Sequence, residues 1–168
     1  MEKCDLYDID GNKLNKVHIR WSGNSVNQGE YTLAVDIWIK NSKNQILLTQ
    51  RHQSKKLYPL KWECTSGVTI NGEDSFAGAL REVSEEIGIK LEKHEGRKIH
   101  KIIRQELNMI FDIFLFNRNI DLKNVKLQNN EVINVKWVEK EELKKMFKNK
   151  EMVEPLNYIC ELINLGMV

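Results

Sequence analysis

Apolar and polar positions alternate without interruption from residue 31 to residue 39. Tyr31, Leu33, Val35, Ile37 and Ile39 fall on one face, with Thr32, Ala34, Asp36 and Trp38 on the other. A period of two predicts a strand. Val132 to Val138 repeats the alternation through Ile133, Val135 and Trp137, and the run Met109-Ile-Phe-Asp-Ile-Phe-Leu-Phe116 predicts a buried strand. Ile46-Leu47-Leu48 predicts another, entered through the polar turn Asn41-Ser-Lys-Asn44 and leaving into a loop that carries Arg51, Lys55, Lys56 and Tyr58. Near the start, Asp10-Gly11 separates two short extended segments, which predicts a hairpin over residues 4–20.

Between Asp74 and Ile87 the period changes. Phe76, Leu80, Val83 and Ile87 lie within roughly 60° of one another at about 100° per residue, the core-facing stripe of a helix. Two further helices are predicted near the end, Glu141–Lys148 and Pro155–Leu165, the second opened by a proline and closed by Gly166, so that the trailing helices span about residues 140–166. Strands on both sides of one helix, with helices trailing, define an α+β sandwich.

Composition narrows the function classes. The 168 residues suit one domain over 1–168, and no repeat or linker divides them. With 26 Lys and Arg against 24 Asp and Glu, broad attraction to a nucleic-acid polymer has no basis. Cys4, Cys64 and Cys160 are too scattered for a disulfide framework or a zinc site, and no apolar run suits a membrane span, so a cytoplasmic protein is expected. His18, His52, His94 and His100 show no metal-ligand spacing.

The chemistry concentrates on the central helix. Offsets of three and four residues stack Glu82, Glu85 and Glu86 on an arc separate from the apolar stripe. Like charges so placed destabilise a helix by a few tenths of a kcal/mol per pair, whereas a divalent cation reverses the sign. Magnesium, with manganese as a substitute, takes oxygen ligands and retains waters, which suits a half-open acidic face. A solvated helix face explains the same three residues, and the wider pattern separates the two readings. Gly67, Glu73 and the string Arg81-Glu82-Val83-Ser84-Glu85-Glu86-Ile87-Gly88-Ile89, spanning residues 67–89, resemble the signature of the Nudix hydrolase family at every fixed position.

That resemblance implies an α/β/α sandwich with a mixed sheet and a loop–helix–loop metal site. It also implies metal ligation by Glu82, Glu85, Glu86 and the carbonyl of Gly67, with Glu73 and Arg81 bracing the motif. The implied reaction is Mg²⁺-dependent hydrolysis of a diphosphate bond in a nucleoside diphosphate linked to another moiety. Water attack needs a general base, drawn from Glu85, Glu86 or an acid outside the trio: Glu131 first, Glu106 second. Arg51, at the end of a strand, is the candidate for substrate phosphate. Tyr58, Trp62 and Trp38 are the aromatics considered for base stacking, though aromatics in strands mostly belong to the core. The partner is a small diphosphate molecule; a homodimer is compatible with the sequence but not specified by it.

The layout around Tyr7–Gly11, Gly29–Tyr31, Leu47–Arg51 and Pro59–Trp62 looks like the branch related to isopentenyl-diphosphate isomerases. An isomerase is therefore the enzyme alternative, and a non-catalytic nucleotide-binding module on the same scaffold is the second. Ser66 stands where isomerases have a cysteine, Val68 where they have a histidine, and Glu106 and Asn108 where they have two glutamates. These departures, with the intact carboxylate trio, favour hydrolysis.

Overall fold

The computed structural model describes residues 2–168. Nine strands, β1 (Lys3–Tyr7), β2 (Lys13–Ile19), β3 (Tyr31–Lys40), β4 (Ile46–Arg51), β5 (Trp62–Glu63), β6 (Thr65–Val68), β7 (Gly96–Arg104), β8 (Met109–Asn117) and β9 (Val132–Val138), form one sheet. The helices are α1 (Ser75–Ile87), α2 (Lys140–Lys148) and α3 (Tyr158–Asn164).

β3 is the hub. Along one edge it pairs in parallel with β8, from Thr32 against Met109 to Lys40 against Asn117. Its other edge is shared in antiparallel fashion by β1 at Leu6–Tyr7, β6 over Thr65–Val68 and β4 at Ile46. β2 extends β1, β7 extends β8, and β4 carries both β5 and β9. The result is the expected α+β sandwich with a mixed sheet.

The alternation in β3 is real, but both of its faces are buried. Ala34 and Trp38 pack with Leu143, Met146, Ile159 and Leu162 of α2 and α3; Val35, Ile37 and Ile39 pack with Ala79, Val83 and Ile87 of α1. Asp36 is admitted to this core because its oxygens accept hydrogen bonds from Ser66 Oγ at 2.7 Å and Tyr158 Oη at 2.8 Å. Trp38 Nε1 donates to Tyr158 Oη at 3.0 Å and closes the chain. Trp38 is thus a core residue, fully buried.

α1 follows its sequence closely. Asp74 accepts a hydrogen bond from Ala77 N as the N-cap, and Gly88 ends the helix at φ 70°. Val83 and Ile87 are fully buried, each contributing about 1.5–3 kcal/mol of apolar burial, so a charged residue at 83 would detach the helix.

Two elements depart from expectation. β7 lies in a stretch where the alternation of apolar and polar positions predicts no strand. It is an edge strand rich in Lys, Arg and His, and a register shift between Lys98 and His100 puts Ile99 and Ile102 against the same core. That shift breaks the period of two. The last helix is shorter than expected, because Glu154–Leu156 forms a 3₁₀ turn around Pro155 and α3 starts only at Tyr158. Cys64, between β5 and β6, is fully buried, as a small strand residue should be. Among the described residues no helix is long and apolar enough to cross a membrane.

Candidate active site

The site is built where β6 meets α1. Gly67 lies in β6 opposite Val35, and a Cβ there would sit 2.0 Å from Cδ and Oε1 of Glu82. Only glycine lets that carboxylate rest against the strand backbone. Gly78, one turn earlier on α1, plays a related part, since a Cβ would meet Thr69 Cγ2 at 2.9 Å and Glu73 Oε2 at 3.2 Å.

Arg81 ties loop to helix. Its Nε and Nη2 each donate to the Glu73 carboxylate at 3.0 Å, Nη2 also to the carbonyl of Val68 at 3.1 Å. Its Nη1 donates to Glu82 Oε1 at 2.8 Å and to Glu85 Oε2 at 3.0 Å. Glu73 in turn accepts from Ile70 N at 3.0 Å, which fixes the loop. All three guanidinium nitrogens are therefore engaged, with four acceptor groups.

Glu86 differs from its two neighbours. It is buried, and its Oε2 has no hydrogen-bond partner among the described residues. Burial, then the nearby Glu63 and Glu82 carboxylates, push its carboxyl far above the usual range. Glu82 is also raised by burial, with Arg81 opposing. Glu85 remains about half exposed.

Glu63 is the acid the sequence does not single out. It sits in β5, buried, with both oxygens 2.8 Å from Arg51 Nη1. Burial lifts its carboxyl to about 7 even against the Arg51 charge. A two-residue strand leaves no periodic signal; the one available clue was the acid beside the motif's first residues. Glu131, just before β9, ion-pairs with Lys55 and adds to the field that raises Glu86. Glu106 is exposed in a turn and makes no hydrogen bond or ion pair with the trio among the described residues.

Arg51 Nε donates to the carbonyl of Leu57 at 3.1 Å and Nη1 to Glu63, while Nη2 makes no hydrogen bond among the described residues. The residues considered for isomerase chemistry point elsewhere. The Ser66 hydroxyl is given to Asp36, burial holds the Cys64 thiol well above its ordinary pKa, and Asn108 Nδ2 donates to the carbonyl of Val26 at 3.3 Å.

The donor set suits a hard divalent cation. Carboxylate oxygens predominate, one of them is buried without a partner, and Gly67 allows backbone and carboxylate to meet. Among the described residues no three His, Cys, Asp or Glu side chains are drawn together closely enough to hold a metal ion.

A mixed sheet between helix layers thus carries a carboxylate-bearing loop and helix against β3 and β6. The chain belongs to the Nudix family: the family's model, described as NUDIX domain, matches residues 30–157. An uncharacterised Nudix hydrolase of Listeria monocytogenes is 31% identical over 98% of this chain and 95% of its own length. An isopentenyl-diphosphate delta-isomerase of Gibberella zeae is 28% identical over 77% of this chain and 59% of its length, which accounts for the branch resemblance. A crystal structure of a Deinococcus radiodurans protein superposes with a TM-score of 0.76 at 18% identity, covering 97% of this chain and 98% of that one. The protein is a Nudix hydrolase.

Proposed function

We propose that the protein, acting as one unit over residues 1–168 in a reducing cytoplasm, hydrolyses a diphosphate bond in a nucleoside diphosphate linked to another moiety, with Mg²⁺, or Mn²⁺ in its place. The observation that carries this reading is the carboxylate face itself. Glu82 is seated on Gly67, Glu85 is half exposed, and Glu86 has a buried oxygen without a partner.

Glu82, Glu85, Glu86 and the carbonyl of Gly67 are the groups that would hold the cation. When bound, a divalent cation supplies charge neutralisation for the diphosphate and a lowered pKa for water. Arg81 and Glu73 hold the carboxylates in place, because their hydrogen bonds span loop and helix. Arg51 orients a phosphate oxygen through its uncommitted Nη2.

The proton of the attacking water goes to a carboxylate open to solvent. Glu85 meets that demand best, with only one of its oxygens bonded to Arg81. Glu131 ranks second, exposed but held by Lys55. Glu86 is buried with one oxygen free of any partner among the described residues, and serves instead as a cation ligand.

Glu85→Gln tests the assignment. Mg²⁺-dependent release of phosphate-containing products from a panel of nucleoside diphosphate derivatives should fall about 100-fold or more, with the thermal melt preserved. Undiminished turnover would remove Glu85 from the mechanism. The same panel with no turnover in the wild type would favour the binding-module reading, and product analysis with isopentenyl diphosphate separates the isomerase.

A further inference from the structure

A cleft of about 260 Å³, lined by His18, Arg20, Trp21, Val26, Val68 and Met109 among others, opens on the sheet face that carries Ala34 and Val68, opposite the face against which α1 packs. Its volume is below the roughly 300–1,000 Å³ of clefts that enclose a whole drug-sized ligand, so it suits one part of a larger molecule. Val68 connects it to the chemistry: it follows Gly67, on which Glu82 rests, and its carbonyl accepts from Arg81.

Trp21 is the unusual member. It is 83% exposed, the most exposed of the large hydrophobic side chains described, and its backbone is left-handed at φ 63°. The Arg20 guanidinium lies 5.1 Å from the ring centroid. Arg20 is itself held by an ion pair with Glu2, so the stacked pair is anchored. The opposite wall is anchored too. Asn108 Nδ2 donates to the carbonyl of Val26, and Thr32 N to the carbonyl of Asn108 at 2.9 Å, which joins the loop after β2 to the turn before β8.

We propose that Trp21 is a specificity-determining residue that stacks on the nucleobase of the substrate. The inference rests on the hydrolase reading above and adds to it the part of the substrate that the acidic helix does not address. An aromatic face backed by a guanidinium attracts a flat π system, and Val26, Val68 and Met109 give it an apolar floor. His18 and Thr32 supply polar groups for the edges of a heterocycle. A sugar offers no flat π system to stack, and a simple acyl chain makes no use of the polar edges.

The test compares kcat/KM for a nucleoside diphosphate linked to a sugar with that for an alkyl diphosphate ester lacking a base, in wild type, Trp21→Ala and Trp21→Phe. Loss of a base-stacking aromatic should lower the ratio of the two about tenfold in Trp21→Ala, with the ratio largely restored in Trp21→Phe. An unchanged ratio overturns the subsite. So does an altered sedimentation coefficient in Trp21→Ala with the ratio intact, since that result makes Trp21 an interface residue. If the wild type hydrolyses neither compound nor any other diphosphate, the hydrolase reading fails first, which is a distinct result.

Discussion

Arg81 and Arg51 are nearly equivalent by exposure and by partner. Their side chains are 20% and 18% accessible, and each pairs with a glutamate about one-tenth exposed, Glu73 and Glu63 respectively. They differ in what remains. Arg81 bonds three glutamates and a carbonyl through all of its nitrogens, whereas Arg51 leaves Nη2 unbonded among the described residues. The partner of Arg51 adds to the contrast, because burial lifts the Glu63 carboxyl to about 7. An ion pair therefore does not define a role. A saturated guanidinium is a brace, and an unsaturated one beside a titratable acid retains capacity for an incoming anion.

Removing the brace should have the largest effect. Arg81→Ala leaves Glu73 mostly buried without its partner and frees Glu82 and Glu85 to repel one another, which should cost about 4 kcal/mol in urea unfolding together with nearly all turnover. A loss below about 1 kcal/mol would mean the loop is held by other contacts.

The acid of the second pair gives the next largest effect, visible as a pH slope. The folded protein keeps the Glu63 proton up to about 7, whereas the unfolded chain releases it near the ordinary value of 4.5. Between these values the unfolded state binds fewer protons, so stability falls as pH rises, on the order of 3 kcal/mol across the window. Urea unfolding in EDTA from pH 4.5 to 8 should show a shallower decline in Glu63→Gln than in wild type. Parallel curves would mean that Arg51 keeps Glu63 ionised throughout.

Arg51→Ala sharpens the contrast at the smallest scale. KM for a diphosphate substrate should rise about tenfold, equal to about 1.4 kcal/mol, with kcat less affected. An unaltered KM would reduce Arg51 to the partner of Glu63.

Much of this was legible before any coordinates. The stripe Phe76, Leu80, Val83 and Ile87 marks a helix between Asp74 and Ile87, and α1 runs over Ser75–Ile87. The Arg81–Glu73 pair could be named from the motif, although its bonds to Glu82, Glu85 and Val68 could not. β7 escaped notice because its bulge spaces Ile99 and Ile102 three apart within a polar strand. Trp38, considered for stacking, is buried, and Trp21, which was not, is the most exposed aromatic side chain among the described residues.

The sequence by itself determined what depends on neighbours along the chain: strand alternation, helix periodicity, caps, and three carboxylates forced onto one helical arc. Tertiary structure decided what depends on solvent exclusion and on residues distant in the chain. It buried Glu86 and left one of its oxygens unpartnered, brought Glu63 and Glu131 into its field, made Asp36 a bonded core residue, and left Trp21 in water. The cost of a charge or a ring is set by the dielectric and the contacts around it, and no local pattern specifies those.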